Sequence, residues 1–181
     1  VKQHGTTYFQ QVGKILKTNQ ENFRVVYNSS WFIDADPRSG NQAFDFLQFV
    51  NLSSHVTVAR LIERDDFAKR LKAGKPISFP ELLYPIMQAY DSVKVAERFH
   101  HCDVEIGGTD QKFNLLMGRE LLKASGKEQQ VVLTMPLLEG LDGVQKMSKS
   151  LGNHIGIQDE PNDMFGKIMS IPDTLIEKYF L

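Results

Sequence analysis

The sequence predicts an α/β fold with a parallel sheet, because one stretch follows the order strand, Gly-Gly, helix, strand, lysine-rich loop. The two strands are predicted over residues 103–106 and 130–134, and the second is a β-branched run typical of a buried parallel strand. Gly107 and Gly108 follow the first strand, and glycine lets a backbone approach a ligand closely. Ligands of open parallel sheets lie outside the carboxyl ends of the strands. The Gly-Gly turn and the loop at 146–150 are therefore both expected to face a ligand.

Composition limits the function classes. A chain of 181 residues with 41% hydrophobic and 24% charged side chains fits one soluble globular domain with room for an inserted subdomain. The net charge of −1 gives no general basic field, so any nucleic-acid contact must come from a local patch. Cys102 is the single cysteine, which excludes an internal disulfide and favours a reducing, cytoplasmic location. No apolar run reaches 18 residues and no signal peptide opens the chain, so no membrane partner is expected.

The first part of the chain is predicted to be mainly helical. The predicted elements are a helix over 6–17, a short strand over 25–28, a loop over 34–41, either two helices or a helix and an irregular segment within 44–62, and a helix over 67–71 that Gly74 closes. The charge run Glu63-Arg64-Asp65-Asp66 is interpreted as a solvated helix face.

The next helix begins at Ser78, whose side chain can cap the Glu81 amide while Glu81 reaches back, and it is predicted to end near Val95. Its positions Tyr84, Gln88 and Asp91 share one face. This polar row has two interpretations that the spacing leaves open: a water-facing stripe, or a wall that faces a small ligand.

The second half is predicted to continue with alternating elements. They are a helix through 113–122 stopped by Gly126, a short strand over 154–157, a helix that begins at 159–161, and a last helix opened by Pro172. The cluster His100-His101-Cys102-Asp103 resembles a metal site, but adjacent strand residues point to opposite faces and cannot converge on one ion. No protein-bound metal is expected.

The loop Lys146-Met147-Ser148-Lys149-Ser150 follows the turn signal Asp142-Gly143 and carries two ammonium groups. A mobile loop of this kind suits a polyphosphate, because each lysine is a compact charge with rotatable donors. Two lysines alone would indicate no more than a solvated turn. The full string resembles the KMSKS signature of class I aminoacyl-tRNA synthetases, letter for letter.

Three stretches together resemble the bacterial tyrosyl-tRNA synthetase family: 84–91, 106–114 and 136–150. The resemblance implies the second half of a Rossmann-like parallel-sheet catalytic domain with a mainly helical insertion. It implies an enzyme that activates L-tyrosine with ATP, accompanied by Mg²⁺, and transfers tyrosine to tRNA(Tyr).

The resemblance also assigns roles to residues at the tyrosine site. Asp91 would accept the phenol O–H of the substrate, and Tyr84 and Gln88 would hold its α-amino group. Gln111 would face its carboxyl end.

The implied ATP site spans two stretches. Asp110 would contact the ribose, and Gly108 would allow close approach to the nucleoside. Leu137 and Leu138 would border adenine. Met147 and Ser148 belong to the loop in which Lys146 and Lys149 would act catalytically, by binding the departing pyrophosphate.

The family's other signature, His-x-Gly-His, is absent from the sequence. We interpret the chain as an internal segment, since it begins with Val1 and its last helical pattern lacks a cap. The segment is expected to be inactive alone, because half of the nucleotide site that the resemblance implies is missing. The expected parts are 1–20, the end of the first nucleotide-fold half; 20–77, an insertion and homodimer interface; 78–158, the second half; and 159–181, the start of a helical region. The apolar residues expected in the interface are Phe44, Phe46, Phe49, Val56 and Val58.

Two alternatives stay open at the level of sequence. Tryptophanyl-tRNA synthetase shares the fold and the KMSKS string, and an indole N–H could also donate to Asp91. A non-catalytic, synthetase-like module that binds RNA or a protein partner would also lack His-x-Gly-His.

Overall fold

A computed structural model describes residues 8–19, 21–33 and 44–180 of the chain. Contacts divide the chain into two compact units, one formed by Tyr27–Pro136 and the other by Val1–Val26 with Leu137–Leu181. The predicted loop over 34–41 lies outside the described residues. The four-part division predicted from the sequence stays a prediction.

The first unit contains helices and one small sheet. Its described helices are α1 Ser29–Phe32, α2 Phe46–Ser54, α3 Val58–Ile62, α4 Asp65–Lys72, α5 Phe79–Phe99 and α6 Lys112–Ala124, and its strands are β1 Val104–Gly108 and β2 Val131–Met135. The helices predicted within 44–72 are confirmed. The strand predicted over 25–28 is wrong, because the backbone there turns into α1: the amide and hydroxyl of Ser30 both donate to the Tyr27 carbonyl, at 3.0 and 2.7 Å.

The carboxylate of Glu81 stabilises the beginning of α5 through hydrogen bonds. The Ser78 amide donates to Glu81 Oε1 at 3.0 Å, which confirms the predicted return contact. Arg70 of α4 hydrogen-bonds the same carboxylate, and together with Ser78 it holds the pKa of Glu81 at about 2. The helix continues to Phe99, four residues past the predicted end, because the buried Ala96 extends its apolar face.

The sheet has two parallel strands, with Val104 opposite Val131 and Gly108 opposite Met135. The parallel arrangement confirms the prediction. The expectation that β2 is buried is wrong for the described residues, since Val131 and Leu133 are exposed. Side chains alternate along both strands, and α6 packs close to the sheet at Gly107, where an added Cβ would lie 3.0 Å from Leu115 Cδ1.

The core of this unit lies between α5 and α6. Its buried apolar residues include Ile86, Ala89, Val93, Met117, Leu121 and Leu122. Phe44 and Val56, expected at a dimer interface, are partly buried against this cluster, and the Phe44 ring lies 5.3 Å from that of Tyr90. Phe44 is therefore engaged within its own chain.

A polar network lies beside the same core. Ser92 Oγ and Gln130 Nε2 each donate to the Glu105 carboxylate at 2.8 Å. Gly118 allows this approach, because a Cβ there would lie 2.7 Å from Ser92 Oγ. The glycine thus sets how closely α6 approaches α5.

The second unit has short helices joined by turns. Residues 8–12 are helical, and turns follow where the sequence predicted a helix to 17. The later helices are α7 Pro161–Met169 and α8 Asp173–Phe180, as predicted. The strand predicted over 154–157 is wrong, since the Gly156 amide donates to Asp159 Oδ2 at 2.9 Å and forms a turn. Across the described ranges, no helix combines the length and apolar character needed to cross a membrane.

Candidate functional site

The polar face of α5 carries three of the predicted site residues at different depths. Tyr84 is exposed, whereas Gln88 and Asp91 are half-buried. Helix α5 is long and is anchored by buried residues such as Ala89, which lies between Gln88 and Asp91 in sequence. This anchoring holds the polar face in place. A face that is half-buried along two of its three positions differs from a purely solvated stripe.

Gln88 meets Gln111 through a third amide. Asn114 Nδ2 donates to Gln88 Oε1 at 2.8 Å and to Gln111 Oε1 at 3.3 Å. Gln88 Nε2 also donates to Gln111 Oε1, at 3.4 Å. The structure therefore brings two predicted site residues together and adds Asn114, for which the sequence reasoning assigned no role.

Asp91 is held by donors from a distant stretch of sequence. Trp31 Nε1 donates to Asp91 Oδ1 at 2.9 Å across 60 residues of sequence. Burial raises the pKa of Asp91 above its usual value, and hydrogen bonds from Trp31 and Asn28 act in the opposite direction. Trp31 is the single tryptophan of the chain, but no spacing rule could connect it with Asp91.

The turn after β1 places the next pair of predicted residues. Gly108 ends the strand in an extended conformation, and Asp110 lies exposed in the short turn Thr109–Gln111 that precedes α6. Asp110 also borders a cavity of about 590 Å³. Part of the charge run predicted as a solvated face lines this cavity, including Asp65 and Asp66.

The lysine loop belongs to the second unit. Lys146 and Lys149 are exposed, Met147 and Ser148 are half-buried, and the Met147 amide donates to the Leu138 carbonyl at 2.8 Å. Leu137 and Leu138 are exposed. The loop is thus bonded back to the segment that precedes it.

Asn153 organises the root of this loop. It is buried, its Oδ1 accepts from the Ser148 amide at 2.8 Å, and its Nδ2 donates to Asp142 Oδ2 at 3.1 Å and to the Lys146 carbonyl at 3.3 Å. Gly140 leaves the necessary space, since a Cβ there would lie 2.0 Å from Asn153 Nδ2. The sequence reasoning passed over Asn153, although a polar residue beside the motif was the available signal.

The turn at Asp142 confirms a sequence prediction. Asp142 Oδ1 accepts from the amides of Val144 and Gln145, each at 2.9 Å, and Gly143 has a φ of 68°. These amide donors, with Asn153, hold the pKa of the Asp142 carboxyl below its usual range. A negative charge is therefore stable at the root of the lysine loop.

The root also contacts α8. Lys178 Nζ pairs with Glu139 Oε1 at 2.5 Å, and the Tyr179 hydroxyl donates to the Glu139 carbonyl at 2.6 Å. Leu175 is buried and would contact a Cβ added at Gly143. Helix α8 and the loop root are thus one packed structure within this unit.

The cluster His100 to Asp103 lies before β1, so the strand argument used against a metal site does not apply to it. Searching the described residues, we find no group of three or more His, Cys, Asp or Glu side chains that could hold a metal ion.

Comparison with known proteins identifies a protein family that matches this chain. A family model described as class I tRNA synthetases (W and Y) matches residues 2–181. The chain is 51% identical over 180 residues to a protein of Burkholderia lata named tyrosine–tRNA ligase. It is 52% identical over 179 residues to one of Carboxydothermus hydrogenoformans with the same name. Each match covers 99% of this chain, and the chain spans 40% of the length of these relatives.

Solved structures agree with the fold. The crystal structure of a tyrosyl-tRNA synthetase complexed with L-tyrosine, from Archaeoglobus fulgidus, matches with a TM-score of 0.64 and 28% identity, over 92% of this chain and 47% of that one. A mitochondrial tyrosyl-tRNA synthetase of Coccidioides posadasii matches with a TM-score of 0.56 and 20% identity, over 87% of this chain and 46% of that one. These similarities support the predicted Rossmann-like α/β fold.

We expect Asn153→Ala to loosen the lysine loop at its root. The Ser148 amide donates to the Asn153 side chain, so its hydrogen exchange in the complete gene product should accelerate about fivefold, as expected for one lost neutral hydrogen bond. The Leu141 amide is an internal control, because it donates to the backbone carbonyl of residue 153, which the substitution keeps. Equal acceleration at both amides, measured by NMR, would show general unfolding of the loop rather than loss of a specific contact.

Proposed function

The chain belongs to the class I tRNA synthetases (W and Y), and we propose that the complete gene product is a tyrosine–tRNA ligase. It activates L-tyrosine with ATP to tyrosyl-adenylate and pyrophosphate, and transfers tyrosine to tRNA(Tyr). One observation carries the choice of amino acid: Asp91 is a half-buried carboxylate held by Trp31, on the face of α5 that also carries Gln88. The names of the relatives that are 51–52% identical support the same choice.

At the tyrosine site, Asp91 accepts the phenol O–H of the substrate. Tyr84 and Gln88 hold the α-amino group, and Gln111 faces the carboxyl end. The fixed position of Gln88 relative to Gln111 supports this arrangement, because reaction requires the carboxylate to be presented to the α-phosphate in line.

At the ATP site, the ribose contacts Asp110, and Gly108 allows the nucleoside to approach the backbone. Leu137 and Leu138 border adenine, and the loop residues Met147 and Ser148 complete the site. ATP enters with its Mg²⁺ as part of the substrate. A β-strand end followed by a helix beginning at Lys112 supports the placement, since helix N-termini suit phosphate groups.

The chemistry needs little covalent help from the protein. The tyrosine carboxylate attacks the α-phosphate, the new bond is C(=O)O–P, and the electron pair of the broken P–O bond leaves with pyrophosphate. Lys146 and Lys149 neutralise the negative charge that develops on the leaving group.

A cytoplasmic location fits a chain whose only cysteine is Cys102.

Amino-acid-dependent ATP–pyrophosphate exchange by the complete gene product tests the function. We expect exchange with tyrosine and little with phenylalanine or tryptophan. Preference for tryptophan would identify the other branch of the family, and absence of exchange would favour a binding module.

An unpaired buried acceptor costs roughly 1–3 kcal/mol, so Asp91→Asn should reduce kcat/KM for tyrosine at least about tenfold more than for phenylalanine. Equal losses for both substrates in Asp91→Asn would show that Asp91 is structural.

Lys149 should act in the transition state more than in binding of ATP. Its exposed ammonium can close on pyrophosphate only as charge develops there, so Lys149→Ala should lower kcat for adenylate formation about a hundredfold with a smaller change in KM for ATP. Lys123→Ala, at an exposed lysine near the end of α6, is the matched control and should leave both constants unchanged. A raised KM with unaltered kcat in Lys149→Ala would indicate uniform binding instead.

We also propose a homodimer that uses the exposed apolar surface of α2 and α3. Phe46 and Leu47 are each 75% exposed and Val58 is 65% exposed, and exposed apolar side chains that form a patch mark interaction surfaces. A twofold contact would cover them on both protomers. Sedimentation of the complete gene product at micromolar concentration should give a dimer, and Leu47→Glu should give monomers. A monomeric wild-type protein would contradict the proposal.

A further inference from the structure

Asn114 lies in the first turn of α6, three residues after Gln111, and is only 3% exposed. Its Nδ2 contacts the side-chain oxygens of Gln88 and Gln111, at 2.8 and 3.3 Å. Three amides therefore meet at one point, and their orientations depend on each other.

Counting donors and acceptors shows what this arrangement fixes. A carboxamide nitrogen carries two hydrogens and its oxygen carries two lone pairs. Both hydrogens of Asn114 point to glutamine oxygens, and Gln111 Oε1 receives a second hydrogen bond from Gln88. Within the described residues, this leaves one lone pair on Gln88 Oε1, one hydrogen of Gln88 Nε2 and the Nε2 group of Gln111 available to a ligand.

Reversing any one amide would be unfavourable. An inverted Asn114 would place its own oxygen against two other oxygens. An inverted Gln88 or Gln111 would place an NH₂ group against the Asn114 NH₂ group. Asn114 thus couples the orientations of the two glutamines, and in the observed arrangement both present their side-chain oxygens to its Nδ2 group.

We propose that Asn114 is a positioning residue that sets the polarity of the amino-acid site. It keeps Gln88 Oε1 turned as an acceptor for the substrate ammonium, and Gln111 Nε2 turned as a donor for the substrate carboxylate. The inference rests on the proposed function and extends it, because it explains why two chemically identical side chains receive opposite charges.

A purely structural role explains the residue less well. Asn114 Oδ1 is buried and has no hydrogen-bond partner among the described residues. Leaving a buried acceptor unpaired is unfavourable, and an apolar side chain of similar size would avoid it. The amide is therefore accounted for by what its Nδ2 group does.

The test compares three ligands of the complete gene product: tyrosine, tyramine, which lacks the carboxylate, and 3-(4-hydroxyphenyl)propanoate, which lacks the ammonium. Dissociation constants for Asn114→Leu are measured by calorimetry or by inhibition of exchange. A hydrogen bond to a charged group corresponds to about a tenfold change in the dissociation constant. The substitution should therefore weaken the binding of tyramine and of the propanoate about tenfold each, and the binding of tyrosine about a hundredfold. The advantage of tyrosine over each analogue then shrinks about tenfold.

Gln130→Leu is the matched control, because it removes another buried amide, one outside this cluster, and should leave the ratios among the three ligands unchanged. Asn114→Ala carries the same test if Asn114→Leu does not fold. Equal weakening of all three ligands in the folded variants, or no weakening, would overturn the inference. A wild-type protein that does not prefer tyrosine would overturn the proposed function instead.

Discussion

The close approach of α6 to α5 is the constraint on which the proposed amino-acid site depends. Gly118 makes it possible, since a Cβ at this position would lie 2.7 Å from Ser92 Oγ and 3.0 Å from Gln130 Nε2. One turn before Gly118 on α6, Asn114 bonds Gln88 of α5 at 2.8 Å. A shift of a few tenths of an ångström at the glycine would lengthen that hydrogen bond. Packing in the core therefore determines the geometry of polar groups at the surface.

Asp91 opposes the stability that this packing supplies. Burial raises its pKa, and the charge of Glu105 acts in the same direction. The folded state then binds a proton more readily than the unfolded chain, whose Asp pKa is about 3.9. Stability therefore falls as pH rises from that value through the raised one, and above the raised value the carboxylate carries its full desolvation penalty. Hydrogen bonds from Trp31 and Asn28 offset part of it. A half-buried carboxylate whose ionised form destabilises the fold is better explained by ligand binding than by folding.

Local signals in the sequence were sufficient for much of the fold. Glu81 reaches back to Ser78, Gly126 has the positive φ expected after a helix, and β1 and β2 pair in parallel, because each depends on neighbouring residues or on strand composition. The prediction of a strand over 25–28 is wrong, because the turn into α1 prevails over the strand preference of the β-branched residues there. The partnership of Trp31 with Asp91 crosses 60 residues, and no periodicity encodes it. Asn114 escaped notice because a single polar residue on an apolar helix gives no sign that its amide faces two others.

The polyphosphate-binding role proposed for the lysine loop sets a different physical requirement from that of the proposed amino-acid site. A polyphosphate site needs cations that stay hydrated until the ligand arrives, yet ordering a whole loop at that moment would cost roughly 1–2 kcal/mol of backbone entropy per residue. Asn153 and Asp142 order the root of the loop beforehand, through bonds to the Ser148 amide, the Lys146 carbonyl and two further amides. Lys149 keeps its side chain exposed. The entropy still to be lost on binding is then mainly that of side chains, so more of the interaction energy remains for charge that develops during reaction.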